Sequence, residues 1–102
     1  MKPVLTAALT ASMLAAASVS QAQVDPFQVH SWAAACANCH GTGGHAQPGN
    51  EPLAGANKDE MLKKLMDFKS GAKPATLMHQ LAKGYSDEQL AAITAWFAAQ
   101  KK

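Results

Sequence analysis

The chain has 102 residues, and its 9 basic residues, all of them lysines, face 7 acidic ones. Because there is no arginine and the lysines are spread along the chain, bidentate recognition of phosphate is excluded, and nucleic acid binding is not expected. The only two cysteines are three residues apart, so a disulfide between them would close a tiny loop and stabilise the fold very little.

The first 22 residues have the pattern of a secretory signal peptide. Lys2 precedes a weakly apolar stretch, and the small residues Ser20 and Ala22 have the spacing that a signal peptidase accepts. The apolar stretch is too short and too rich in Ser and Thr to span a bilayer comfortably. We expect cleavage after Ala22, export to the periplasm and no membrane span in the mature chain; an uncleaved anchor is the alternative. Residues 23–102 would then form one domain.

The first predicted helix begins in the sequence DPFQ, residues 25–28. A capping residue, Asp25, is followed by proline at the first helical position, and Gln28 occupies the third. The apolar residues that follow at i, i+3, i+4 and i+7 should share the core-facing side of the helix: Val29, Trp32, Ala33 and Cys36.

Residues 41–52 contain four glycines and two prolines and are expected to be irregular. A second long helix is predicted from a box-like cap, Asn57 with Glu60, to about Gly71. Its apolar side consists of Met61, Leu62, Leu65, Met66 and Phe68.

Two further elements complete the predicted fold. Pro74 opens a short turn or helix that ends at Gly84, and Ser86 with Gln89 matches the capping box of a C-terminal helix. That helix should run to about Gln100, with a buried side formed by Leu90, Ile93, Trp96 and Phe97. Because no useful length alternates with period two, the sequence predicts an all-α domain of four helices or helix-like turns.

The motif CANCH, residues 36–40, contains the most informative residues of the chain. A Cys-x-x-Cys pair serves redox disulfides, zinc sites and covalent haem attachment. A redox disulfide belongs at a strand-to-helix junction, and no strand is predicted. Zinc would need a second ligand pair, which neither His45 nor His79 provides.

Haem attachment is the remaining interpretation of this motif. Cys36 and Cys39 would add across the two vinyl groups of one porphyrin, and His40 would be held beneath the iron. A domain of this size seldom buries enough apolar surface unaided. A covalently bound haem c would supply that surface, contributing on the order of several kcal/mol.

The second iron ligand has several candidates in the sequence. We favour Met78, because Gly71 and Pro74 allow an extended strap to bring it over the ring; a plain core methionine is the alternative interpretation. His79 is the runner-up. Met61 and Met66 are less favoured because they belong to an apolar helix face. His45 is too close to His40 in sequence to reach the opposite side of the iron. His30 is less favoured because its helix approaches from the same side as His40. A six-coordinate iron has no open position, so the sequence predicts an electron carrier rather than an enzyme.

Three sequence segments together resemble a class I c-type cytochrome over essentially the whole mature chain: CANCHG, PLAG at residues 52–55, and LMHQLAKGYSDEQLAAITAWFAAQ. The resemblance implies thioether bonds at Cys36 and Cys39, His40 as the proximal ligand and Met78 as the distal one. It also implies a proline carbonyl that accepts a hydrogen bond from the proximal imidazole, with Pro52 as the candidate and Pro48 as the alternative. The first and last helices of this family cross, which would pack Val29, Trp32 or Ala33 against Leu90, Ile93 and Phe97.

A narrower resemblance concerns the segment MHQLAKGYSDEQLAAI. It is similar to the cytochrome subunits of sulfide-oxidising flavocytochromes, in which a haem domain accepts electrons from a flavoprotein. Those subunits often contain two haem domains, whereas this chain has one CxxCH motif. The resemblance implies redox protein partners, with the chain acting either as a free periplasmic monomer or in a heterodimer with a flavoprotein. A haem enzyme or gas sensor is a less favoured alternative.

Overall fold

The computed structural model describes residues 2–3 and 24–102, and the predicted signal peptide and its cleavage site lie outside the described residues apart from Lys2 and Pro3. Five α-helices are present in this part of the chain: α1 Pro26–Ala34, α2 Ala37–His40, α3 Lys58–Ser70, α4 Met78–Lys83 and α5 Asp87–Ala98. A single 3-10 turn, Thr42–Gly44, follows α2, and no strand occurs in the described ranges. The fold is the small all-helical one predicted for class I cytochromes c.

The helices begin at the residues that the capping patterns predict. Asn57 accepts a hydrogen bond from the Glu60 amide at 3.0 Å. The capping box of α5 is complete, since Ser86 Oγ accepts from the Gln89 amide at 3.1 Å and Gln89 Oε1 accepts from the Ser86 amide at 2.8 Å. Asp25 caps α1 through the Phe27 amide at 3.0 Å. These side chains satisfy backbone donors that the first turn of a helix leaves unpaired.

The first helix is shorter than predicted. It ends at Ala34, because the Cys36 amide donates to the Ala33 carbonyl at 3.0 Å, a bond across three residues that tightens the chain into a turn. Cys36 is therefore the cap of a separate short helix, α2, and does not lie in the last turn of α1. The prediction of four helical elements was therefore wrong, because it did not include α2 as a separate helix. The loop predicted for residues 41–52 also contains the 3-10 turn.

The ends of α3 and α4 differ in their backbone conformation. Gly71 ends α3 with φ of 84°, a left-handed conformation that glycine adopts without strain. Gly84 also ends its helix where predicted, but with φ of −74°, a right-handed conformation. Between the two helices, residues 71–77 form an irregular strap that leads into Met78.

The core lies where α1, α3 and α5 meet. Its buried members are Ala33 from α1, Met61 from α3, and Ile93 and Phe97 from α5, with Trp32 packed against them. This arrangement confirms the predicted packing of the first helix against the last. Within the two described ranges, no helix is long and apolar enough to cross a bilayer.

Candidate functional site

The short helix α2 presents the motif residues on one turn. Cys36 is half-buried and Cys39 is exposed, and both thiols are free. His40 is the last residue of the helix, and Gly41 follows it with φ of 82°. A side chain at position 41 would meet the His45 carbonyl oxygen at 2.0 Å, so the chain can turn here only with glycine.

A crevice of about 270 Å³ opens beside α2, and a smaller lobe of about 110 Å³ adjoins it. Both are lined mainly by apolar side chains. The residues that border both lobes are Cys36, His40, Leu65, Met78 and Ile93. Cys39 borders the larger lobe. The structure therefore brings the four predicted haem-binding side chains to one apolar crevice.

The His40 ring is oriented by a backbone carbonyl. Its Nδ1 lies 2.6 Å from the carbonyl oxygen of Glu51. A carbonyl oxygen only accepts, so Nδ1 carries the proton, and in the neutral ring Nε2 keeps its lone pair. Such a bond fixes the ring and the tautomer that an imidazole needs to bind a metal.

The expectation that Pro52 or Pro48 supplies this carbonyl was wrong. The acceptor belongs to Glu51, one residue before Pro52. Proline disfavours the α region for the residue that precedes it and thus favours extended conformations for the backbone of Glu51. Pro52 acts on the position of the carbonyl without providing it, and Pro52 itself does not border either lobe.

Met78 is the first residue of α4 and is half-buried. It borders both lobes of the crevice, as His40 does, but comes from a different helix. Met61 also borders the smaller lobe, yet it is buried in the core cluster with Phe97. Met66 borders neither lobe.

The other histidines point to other parts of the molecule. His30 stacks on Trp96, with ring centroids 5.1 Å apart and 17° between the planes. His45 contacts the carbonyl oxygens of Thr42 and Lys101 through its two ring nitrogens. His79 borders neither lobe, and its buried Nδ1 has no hydrogen-bond partner among the described residues.

The surroundings of Cys36 differ from those of a redox-active thiol. Burial raises the pKa of Cys36 above its ordinary value, so this thiol stays protonated near neutral pH. Thiol–disulfide catalysis instead depends on a thiolate stabilised by a lowered pKa. Within residues 2–3 and 24–102, no cluster of three His, Cys, Asp or Glu side chains could hold a metal ion. Two free thiols, an anchored imidazole and an apolar crevice together fit a haem group.

Proteins with similar sequences share one chemistry. Over 70 residues, 68% of this chain, the sequence is 41% identical to cytochrome c4 of Pseudomonas aeruginosa. Over 91 residues, 87% of this chain, it is 38% identical to the thiosulfate dehydrogenase electron acceptor of Stutzerimonas stutzeri. Over 62 residues, 61% of this chain, it is 36% identical to the cytochrome subunit of sulfide dehydrogenase of Chlorobaculum tepidum. The chain belongs to the c-type cytochromes.

This cytochrome spans only part of each relative. The matched segments cover 35% of the Pseudomonas protein, 42% of the Stutzerimonas protein and 56% of the Chlorobaculum protein. No family model matches the chain.

Several residues of this cytochrome's crevice were missed by the sequence interpretation. Glu51 was overlooked; its one sequence signal is that it directly precedes a proline, which favours an extended backbone there. Leu77 and Leu81 were not predicted as site residues; they are 63% and 51% exposed and border the larger lobe. Their spacing of four on and beside α4 places them on the same side as the crevice opening. Lys64 borders the smaller lobe, which no sequence pattern indicates.

Proposed function

We propose that this cytochrome is an exported monohaem electron carrier whose haem c is bound through Cys36 and Cys39, with His40 and Met78 as the two iron ligands. The observation that supports it best is the crevice, because the four side chains come from two separate helices and border the same apolar space. When bound, the haem would supply an iron that takes up and releases one electron. We further propose that residues 1–22 direct export and that the mature domain is 23–102.

In this proposal α2 attaches the cofactor. The thiols of Cys36 and Cys39 are free and lie one helical turn apart, with Cys39 exposed to the solvent. His40 follows them directly, and its Nε2 is available for coordination because Nδ1 is engaged by Glu51. The hydrogen bond that Nδ1–H donates to the carbonyl raises the basicity of the ring, which is a known means of adjusting a metal site.

Met78 supports a carrier rather than an enzyme. A thioether ligand on one side and an imidazole on the other complete six coordination and leave no position for a substrate. The thioether also favours the ferrous state and raises the reduction potential relative to two histidines. His79, the alternative ligand, is adjacent in sequence but does not border the crevice. The geometry therefore favours Met78.

The opening of the crevice supports a function in electron exchange with other proteins. Leu77 and Leu81 expose most or half of their side chains at the larger lobe. A cofactor edge surrounded by such residues would be close to the surface, where a partner protein could approach it.

The ligand assignment is tested by Met78→Ala in holoprotein made in cells with haem-attachment machinery. We expect loss of the long-wavelength band of sulfur-ligated ferric haem and a lower reduction potential. Met66→Ala is the matched control, since this methionine borders neither lobe, and it should keep the band. Retention of the band in Met78→Ala would contradict the assignment. Rapid carbon monoxide binding by the unaltered reduced protein would instead favour a gas sensor or haem enzyme.

A second candidate function is that of an electron-accepting subunit for a sulfur-oxidising flavoenzyme. Two of the similar proteins are named for sulfide dehydrogenase and thiosulfate dehydrogenase, which supports an electron-accepting role in sulfur oxidation. The flavoprotein partner is implied by the narrower sequence resemblance. In this case the chain would form a heterodimer with a flavoprotein and would take electrons from its flavin. Co-purification of a flavin-containing chain at low salt would support the subunit function. A monomer that exchanges electrons freely would support the independent carrier.

A further inference from the structure

Glu51 contacts two other elements of the molecule at once. Its backbone carbonyl oxygen lies 2.6 Å from Nδ1 of His40. Its carboxylate accepts a hydrogen bond from Nζ of Lys64, on α3, at 2.5 Å. Glu51 and Lys64 also border the smaller lobe of the crevice, together with His40. One residue thus connects the imidazole to the long helix α3.

The loop around Glu51 has few other attachments. Its C-terminal end is fixed where the amides of Leu53 and Ala54 donate to the Gly44 carbonyl at 2.9 and 3.2 Å. For residues 46–52, the described hydrogen bonds and ion pairs to other parts of the chain are the two contacts of Glu51. Within the loop, the Asn50 amide donates to the Gln47 carbonyl at 3.1 Å. Within residues 46–52, the described attachments that can hold the Glu51 carbonyl are therefore its contact with His40 and the ion pair with Lys64.

We propose that the ion pair between Lys64 and Glu51 is a positioning device that holds the Glu51 carbonyl against His40 and so adjusts the basicity of the proximal imidazole. This inference rests on the proposed function, in which His40 binds the iron. A firmly held carbonyl strengthens the bond from Nδ1, and a more basic imidazole favours the ferric state. Loosening the loop should therefore raise the reduction potential.

Lys64 is cationic at neutral pH. The hydrogen bond to Glu51, and next its negative charge, raise the pKa of Lys64. The lysine therefore stays cationic over the neutral range. Both side chains are about half exposed, 43% for Lys64 and 54% for Glu51, and ion pairs of this kind contribute little to folding stability. The expected consequence of removing the pair is thus a change at His40 and not a loss of the fold.

The test is the neutral double variant Glu51→Gln with Lys64→Gln in the haem-loaded protein. It removes one charge of each sign, so the net charge is unchanged, and it keeps the backbone carbonyl. We expect a higher reduction potential and several-fold faster solvent exchange of the His40 Nδ1 proton, measured by NMR on the reduced protein. The charge-exchanged variant, Glu51→Lys with Lys64→Glu, should restore both quantities toward their original values.

A matched control lies on the same helix. Lys63 and Asp67 form an ion pair at 2.6 Å that does not contact the loop. Lys63→Gln with Asp67→Asn should change neither the potential nor the proton exchange. Equal effects of the two double variants, or no effect of the Glu51 and Lys64 variant, would overturn the proposal.

The single variants separate this proposal from a direct contact of Lys64 with the cofactor. If the ion pair positions the carbonyl, Glu51→Gln and Lys64→Gln should each speed exchange of the His40 proton. An effect of Lys64→Gln alone would overturn the proposal in favour of a direct contact. Failure of the proposed function would be recognised by a different observation, because the unaltered protein would then contain no His40-ligated haem at all.

Discussion

Lys69, in the last turn of α3, donates hydrogen bonds to the Asp87 carboxylate at 2.8 Å and to the Tyr85 carbonyl oxygen at 2.7 Å. The two acceptors lie at the start of α5 and just before it. Tyr85 also borders the larger lobe of the crevice. One side chain therefore fixes the junction between α4 and α5 to α3, next to the proposed haem site.

We expect Lys69→Met to lower the free energy of unfolding by about 1 kcal/mol or more. The substitution breaks an ion pair and leaves a partly buried carbonyl without its charged donor. Lys63→Met is the matched control, because Lys63 is 76% exposed and its i,i+4 partner Asp67 lies on the same helix, so it should cost no more than about 0.5 kcal/mol. Denaturant unfolding of the holoprotein measures both. Equal losses would show that the carbonyl contact contributes nothing.

A second prediction concerns the contribution of the α5 capping box to stability. Ser86→Ala removes the acceptor for the Gln89 amide and should lower the free energy of unfolding by about 1 kcal/mol. Ser31 offers a control within a helix. Its hydroxyl donates to the Phe27 carbonyl four residues back, a bond that slightly disfavours helices, so Ser31→Ala should be neutral or mildly stabilising. Comparable destabilisation by both alanines in thermal unfolding would contradict this account of the helix start.

A side chain at Gly44 is expected to disturb the core. Its φ is 83°, and a Cβ there would lie 2.6 Å from the Ala54 amide nitrogen and 2.9 Å from Cδ1 of Phe97. Gly44→Ala combines backbone strain with a clash against the core and should cost more than about 2 kcal/mol. Gly49 also has a positive φ, 97°, but open space around it, so Gly49→Ala should cost about 1 kcal/mol. Similar midpoints for the two variants in denaturant unfolding would refute the proposed clash.

The helices could be predicted because their signals are local. The Ser86 capping box, the Asn57 cap and Gly71 act within one turn of the chain, and the structure uses all three. The break between α1 and α2 could not be predicted in this way. The apolar spacing from Val29 to Cys36 continues across it, and the turn depends on the bond from Cys36 to the Ala33 carbonyl.

In the candidate site, too, the residues that belong to a local pattern could be predicted, and those that depend on the folded chain could not. The CxxCH motif predicts Cys36, Cys39 and His40 as site residues from sequence alone, because thiol spacing and an adjacent imidazole are local features. The partner of His40 is eleven residues away, and the choice between the Glu51 carbonyl and that of Pro52 depends on how the loop folds back. The stacking of His30 on Trp96 joins two helices that are far apart in sequence, so no local pattern indicates it.

The attachment of haem is tested most directly by one sample. The protein, produced in cells with haem-attachment machinery, should be measured for its intact mass under denaturing conditions and for its visible spectrum when oxidised and reduced. We expect a mass equal to the polypeptide plus one haem that denaturation does not remove, and a red protein with a reversible one-electron couple. A colourless, folded protein with the mass of the polypeptide alone would contradict the account.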